Sequence, residues 1–259
     1  MTSRILLADD HPITQVGMAN AVEQSGAGIV AGEARSVDEL LQFLQTEPCD
    51  IVITDFRIPG PENISGLAML YEIRTRFPHV PIIVTTSMVN PAIYHAILHM
   101  GVKALISKSE PVEEISQAIK MVLAGKTFVS TSVLRLIVQG GLPMGFHRSR
   151  WSHLGREECR IVKAWAEGMP LDAIASTLNA PLASVYWRKR SAMRKLGART
   201  DSELFTYVDE LAGLPAKWFV AESGWAQPVT YEAFTSAPAS APSDRMFAGR
   251  KPSDRITAG

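Results

Sequence analysis

The sequence predicts an α/β fold, a doubly wound five-stranded parallel sheet, followed by a small all-α unit with helix-turn-helix spacing. The first 126 residues alternate short apolar runs with segments of helical period, which is the pattern of repeated strand-helix units. From Glu157 to Leu211 the period is helical throughout, with breaks at Gly168–Pro170, Asn179–Pro181 and Gly197 that mark four short helices. A length of 259 residues is enough for two such units, each with its own core.

The expected strands are Ile5–Ala8, Ile29–Gly32, Asp50–Thr54, Pro81–Thr86 and Ala104–Ile106. Between them, apolar residues spaced by three and four, such as Leu40, Leu41, Phe43 and Leu44, or Ile115, Ala118, Ile119 and Val122, predict helices that cover the sheet. Ligands of such a sheet bind at the carboxyl ends of its strands, where strand order reverses. Four regions follow: a first domain over 1–126, a linker over 127–150, a helical domain over 151–212 and an extension over 213–259. The linker carries a short helical pattern around Val133–Val138 and the breakers Gly140, Gly141, Pro143 and Gly145. The extension is rich in Pro, Ala and Ser and contains the near-repeat Pro242-Ser243-Asp244-Arg245 and Pro252-Ser253-Asp254-Arg255, so most of it is expected to be disordered.

Composition excludes several classes. Hydrophobic content of 46% and charged content of 20% are globular values, and no apolar run approaches the roughly 20 residues of a membrane span. Residues Met1 to Asp10 lack the pattern of a secretory signal, so a cytoplasmic protein with no membrane partner is expected. Cys49 and Cys159 stand far apart in apolar surroundings and read as reduced core residues. The formal net charge is zero, yet residues 1–126 hold 9 Lys+Arg against 14 Asp+Glu. The stretch Leu182–Thr200 holds six bases and no acid, and a local stripe of that kind is the electrostatic footprint of a nucleic-acid site.

Asp9 and Asp10 follow the first expected strand, Asp55 the third, Thr86 ends the fourth and Lys108 lies just past the fifth. A parallel sheet gathers all five at one edge. Three crowded carboxylates repel unless a hard divalent cation sits among them, and Mg²⁺ uses few carboxylates together with a phosphate. The chemistry this set suits is phosphoryl transfer to the Asp55 carboxylate, with Lys108 neutralising phosphoryl oxygens and the Thr86 hydroxyl binding the product. Taken singly, Asp10 reads equally well as a helix cap before Pro12 and Asp55 as a turn residue.

In the helical domain, Leu171–Leu178, the turn Asn179-Ala180-Pro181 and the helix Leu182–Leu196 have helix-turn-helix spacing. The last piece carries Ser184, Tyr186, Trp187, Arg188, Lys189, Arg190, Arg194 and Lys195, which supply phosphate attraction and contacts to base edges in a major groove. Taken for their charges alone, these bases also fit a solvated helix face.

The fragments Leu7-Ala8-Asp9-Asp10-His11-Pro12, Ile53-Thr54-Asp55, Ile82-Ile83-Val84-Thr85-Thr86 and Lys108 resemble the receivers of NarL/FixJ-class response regulators over residues 1–126. Asn90-Pro91-Ala92-Ile93 and the stretch after Asp55 are similar to the capsule-synthesis branch of that class. Glu157, Ala166-Glu167-Gly168, Ile174-Ala175, Val185 and Arg194-Lys195-Leu196-Gly197 resemble the LuxR-type DNA-binding domain over 151–212. The resemblance implies a flavodoxin-like receiver with Asp55 as phosphoacceptor. It implies Asp9, Asp10 and the backbone carbonyl of Arg57 as further Mg²⁺ ligands, and Thr86 and Lys108 as the switch pair. Tyr186, Trp187 and Arg190 align with residues that contact bases or phosphates, Tyr186 replacing a common lysine, and Asp201–Leu211 corresponds to a dimerisation helix. Partners implied are double-stranded DNA, a sensor histidine kinase or histidine phosphotransfer protein, and a second copy or another LuxR-type regulator. Leu105 departs from the family, which often has an aromatic three residues before the lysine. A regulator switched by a protein partner without phosphorylation is the competing reading, and a metal-dependent phosphohydrolase is a third.

Overall fold

The computed structural model describes residues 2–61, 64–139, 154–212 and 214. The breaker stretch of the linker and the expected disordered extension lie outside these residues. In chain order the elements are β1 (Ser3–Ala8), α1 (Pro12–Ser25), β2 (Gly28–Ala34), α2 (Val37–Thr46), β3 (Ile51–Asp55), α3 (Gly66–Arg76), β4 (Ile82–Thr86), α4 (Pro91–His99), β5 (Ala104–Ser107), α5 (Glu113–Leu123), β6 (Phe128–Val129) and α6 (Thr131–Gln139). The helical domain follows with α7 (Arg156–Ala166), α8 (Leu171–Thr177), α9 (Leu182–Leu196) and α10 (Asp201–Ala212).

The strands form one parallel sheet in the order β2-β1-β3-β4-β5-β6. Period two sorts the side chains. Ile5, Leu7, Ile51, Ile53, Ile83 and Ile106 pack with Met18 and Val22 of α1 and Ala118, Ile119 and Val122 of α5. Leu6, Val52 and Val84 pack on the opposite face with residues of α2, α3 and α4. Buried on both faces, these strands read as unbroken apolar runs, which is why they were visible in the sequence.

Two corrections concern the linker. Among the described residues the sheet has six strands, because β6 extends it at the β5 edge: Phe128 N–H donates to Lys103 O at 2.9 Å and Ser130 N–H to Leu105 O at 3.0 Å. Residues 128–139 are therefore part of the first domain, with α6 laid against α4 and β5. The expected helix at Val133–Val138 is the body of α6, anchored by the buried Val133 and Ile137.

Local chemistry fixes the helix ends that matter to the site. Pro12 and Pro91 occupy the first turns of α1 and α4, where a missing N–H costs nothing. Asn90 Oδ1 caps α4 by accepting from Ala92 N at 3.0 Å and Ile93 N at 3.3 Å. In the second domain Ile161, Ile174, Ala175 and Val185 form a small core, and α9 ends at Gly197 with φ 78°. Asn179 takes φ 47° in the turn between α8 and α9, a conformation asparagine tolerates.

Candidate functional site

Parallel register brings the expected acidic site together. Asp55 ends β3 opposite Thr85 of β4, Thr86 pairs with Ser107 of β5, and Asp9 extends β1 with its N–H donated to Ala34 O at 3.1 Å. Lys108 Nζ reaches back across this edge to lie 2.7 Å from Asp9 Oδ2 and 2.7 Å from Asp55 Oδ2. Asp9 and Asp55 are both buried, so each needs a compensating charge, and one ammonium serves two carboxylates.

The ionisation of the pair follows from this arrangement. Burial pushes the Asp55 carboxyl above its ordinary range and the Asp9 charge adds to the shift, against the pull of Lys108 and of the Arg57 backbone amide. Burial alone would lower the Lys108 ammonium, but its hydrogen bonds to Asp55 and Asp9 outweigh that and raise it. One positive charge among the carboxylates leaves an acidic excess.

Ligand atoms of Asp9, Asp10, His11 and Asp55 lie within 4.8 Å of one another. Asp10 Oδ1 is buried and lies 2.8 Å from His11 Nδ1, within the same cluster of ligand atoms. This oxygen-rich donor set suits a hard divalent ion. The sequence had not singled out His11, whose N–H donates to Asp9 Oδ1 at 2.9 Å. The Thr86 hydroxyl is buried and accepts from Met88 N at 3.0 Å, while Lys108 N–H donates to Thr86 O at 2.8 Å, tying these two residues through the backbone. Leu105 is fully buried in the core, and the aromatic nearest in sequence to Thr86 is Tyr94 of α4, whose hydroxyl donates to Met88 O.

On α9 the helical period divides the expected DNA-binding residues into two sets. Tyr186, Arg190 and Arg194, at spacings of four, are exposed on one face together with Trp187; Tyr186 is 49% and Trp187 65% exposed. The structure differs from expectation for Lys189, which is only 6% exposed. It shares the inner face with Val185, Ala192 and Leu196, and its ammonium sits 2.8 Å from Asp201 Oδ2 and 3.9 Å from the Trp165 ring centroid. Arg188 pairs with Glu157 and Lys195 with Glu158 at 2.6 Å, on the flank facing α7. Ser184 is half-buried. A groove of about 700 Å³ lined by Tyr186, Arg190, Arg194 and Arg199 runs beside the exposed face.

The two domains touch through α10, which packs on α3 and α4 as well as on α7. Glu210 accepts from Arg57 Nη2 at 2.6 Å and from Leu67 N at 3.0 Å, and Asn90 Nδ2 donates to Glu203 O at 3.1 Å. Nothing in the local sequence around Glu210 signals this role, because its partners lie more than 140 positions away.

Residues 5–120 match the family model of the response regulator receiver domain. The chain is 31% identical over 214 residues to the transcriptional regulatory protein RcsB of Escherichia coli K12, covering 82% of this chain and 96% of RcsB. RcsB from Salmonella enterica serovar Typhimurium, bound to promoter P1flhDC in the presence of the phosphomimetic BeF3-, superposes with TM-score 0.74 at 29% identity, covering 82% of this chain and all of that one. A structure of Salmonella typhimurium RcsB from work on conformational dynamism for DNA interaction, 30% identical and covering 80% of this chain and 99% of that one, gives 0.53. A receiver model matched at one end, and RcsB matched from one domain through the other, place this chain in the RcsB-type family of response regulators, which are transcription factors and not enzymes.

Proposed function

We propose that this chain binds double-stranded DNA through the exposed face of α9, and that phosphorylation of Asp55 raises its affinity for paired half-sites. The observation that carries this reading is Lys108 Nζ, held 2.7 Å from both Asp9 and Asp55 where a phosphoryl group on Asp55 would lie. A carboxylate oxygen of Asp55 attacks the phosphorus of a phosphohistidine on a sensor kinase or histidine phosphotransfer protein. The donor P–N bond breaks as the Asp55 O–P bond forms. Lys108, freed from one of its two carboxylates, then pairs with the dianionic group, and the Thr86 hydroxyl turns from Met88 N–H to hydrogen-bond a phosphoryl oxygen.

Asp9, Asp10, Asp55 and the Arg57 carbonyl would hold Mg²⁺, which neutralises phosphoryl oxygens when bound. Tyr186, Trp187, Arg190 and Arg194 present the base-reading and phosphate-contacting groups. The likeness to promoter-bound RcsB, with TM-score 0.74 over 82% of this chain, supports the DNA role. A homodimer, or a pair with another LuxR-type regulator, fits half-sites about one helical turn apart. Mapping genomic DNA protected by the purified chain, with and without acetyl phosphate, tests the proposal. Protection of paired sites strengthened by the phosphodonor is expected; no protected DNA, or protection indifferent to the donor, contradicts it.

A further inference from the structure

Glu210 belongs to the helical domain, but its carboxylate is bonded to the receiver. Helix α3 begins at Gly66, and the residue before it, Ser65, offers no side-chain hydrogen bond to the first turn. The helix is capped instead from the other domain, by Glu210 Oε2 accepting from Leu67 N while Oε1 holds Arg57. Glycine is favoured at 66 by its φ of +56°, and a Cβ there would push the Glu210 carboxylate aside. The glutamate is 8% exposed and its partner Arg57 half-exposed, so the contact sits at the edge of the interdomain interface. The second tie has the same form. Asn90, which caps α4, also donates to Glu203 O of α10.

Both ties land on the N-terminal ends of α3 and α4. The loops leading into those helices start at Asp55 and Thr86, the residues proposed above to bind the phosphoryl group, and Arg57 is two positions from Asp55. The recognition face of α9 is meanwhile left open, so this docking does not cover it. The two RcsB structures cover nearly the same share of this chain yet score 0.74 and 0.53. The structure that carries the Glu210 contact thus superposes better on the promoter-bound form.

We propose that Glu210 is an interdomain latch: a positioning residue that fastens α10 to the loops around Asp55 and Thr86 in the arrangement that presents α9 to DNA, so that phosphorylation tightens it. This rests on the function proposed above. Released, the domains tumble on their linker and DNA binding carries an added ordering cost.

The test uses the full chain as wild type, Glu210→Gln and Glu210→Asp, which keeps the charge but shortens the reach. Hydrogen exchange at the Leu67 amide reads the latch directly, and affinity for a DNA fragment from the protection mapping is measured with and without acetyl phosphate. The latch predicts a protected Leu67 amide in wild type and a faster one in Glu210→Gln. It also predicts unchanged phosphorylation of Asp55, at least about a fivefold loss of affinity after acetyl phosphate, and a smaller gain from the donor. Glu210→Asp should fall between. An unprotected Leu67 amide in wild type overturns the latch, as does a Glu210→Gln chain that binds DNA as tightly as wild type or more tightly. Failure of wild type to gain affinity from the phosphodonor would instead sink the phosphorylation switch, while the exchange data still judge the latch.

Discussion

The Lys189 ammonium lies 3.9 Å from the centroid of the Trp165 ring, joining α9 to α7 through a cation-π contact, while Asp201 supplies the counter-charge at 2.8 Å. A buried lysine held on two sides stabilises the domain, its ammonium already engaged by Asp201 and Trp165. Lys189→Ala is expected to destabilise the helical domain by about 1 to 3 kcal/mol, through lost packing and an unpaired Asp201. Thermal melting checks this. The salt dependence of DNA binding should keep its slope.

Arg190 and Arg194 are the opposite case, exposed one turn apart on the open face. Each phosphate contact removed releases fewer counterions, so Arg190→Ala and Arg194→Ala should each weaken binding and reduce the slope of log affinity against log salt by about one. Tyr186→Ala should relax sequence preference. Titrations at several salt concentrations, on cognate and scrambled fragments, separate these effects.

Tyr94 is fully buried, with its hydroxyl donated to Met88 O in the loop after Thr86. Burial pushes the phenol up to about 12, so it remains a donor at any physiological pH. Tyr94→Phe leaves the Met88 carbonyl without that donor and should cost roughly 1 kcal/mol of receiver stability, read from denaturant unfolding.

Glu158 caps α7 by accepting from Gly155 N at 2.7 Å and pairs with Lys195. Burial would raise its carboxyl, but the bonds to Lys195 and Gly155 outweigh that and hold it below the ordinary value. A carboxyl depressed in the folded state stabilises the fold above its unfolded pKa, and the benefit is lost as pH falls through the lower, folded value. The helical domain of wild type should therefore lose melting temperature more steeply than Glu158→Gln when pH is lowered below about 4.3.

The central strands β1, β3, β4 and β5 were legible because burial on both faces fills them mainly with apolar residues, and the acids at the ends of β1 and β3 stood out against that background. A two-residue edge strand such as Phe128–Val129 has no period to detect. The bases of α9 were legible as a set, but their division was not. Whether Lys189 faces DNA or Trp165 depends on how α7 crosses α9, and Arg188 and Lys195 find their partners on α7 as well. Glu210 was hidden for a similar reason: an acid near the end of a helix looks solvated until another domain is laid against it.

Modification of Asp55, at the sheet edge beside Lys108, is proposed above to control DNA binding by α9. Asp55→Asn keeps the side-chain shape and removes the nucleophilic carboxylate. The deciding measurement is the affinity of wild type and Asp55→Asn for a two-half-site fragment, each with and without acetyl phosphate. A phosphorylation switch at Asp55 gives wild type a gain of roughly 5- to 150-fold on phosphodonor treatment and Asp55→Asn none, leaving it at the untreated level. An Asp55→Asn chain that binds as tightly as the treated wild type contradicts it and leaves a regulator switched by a protein partner.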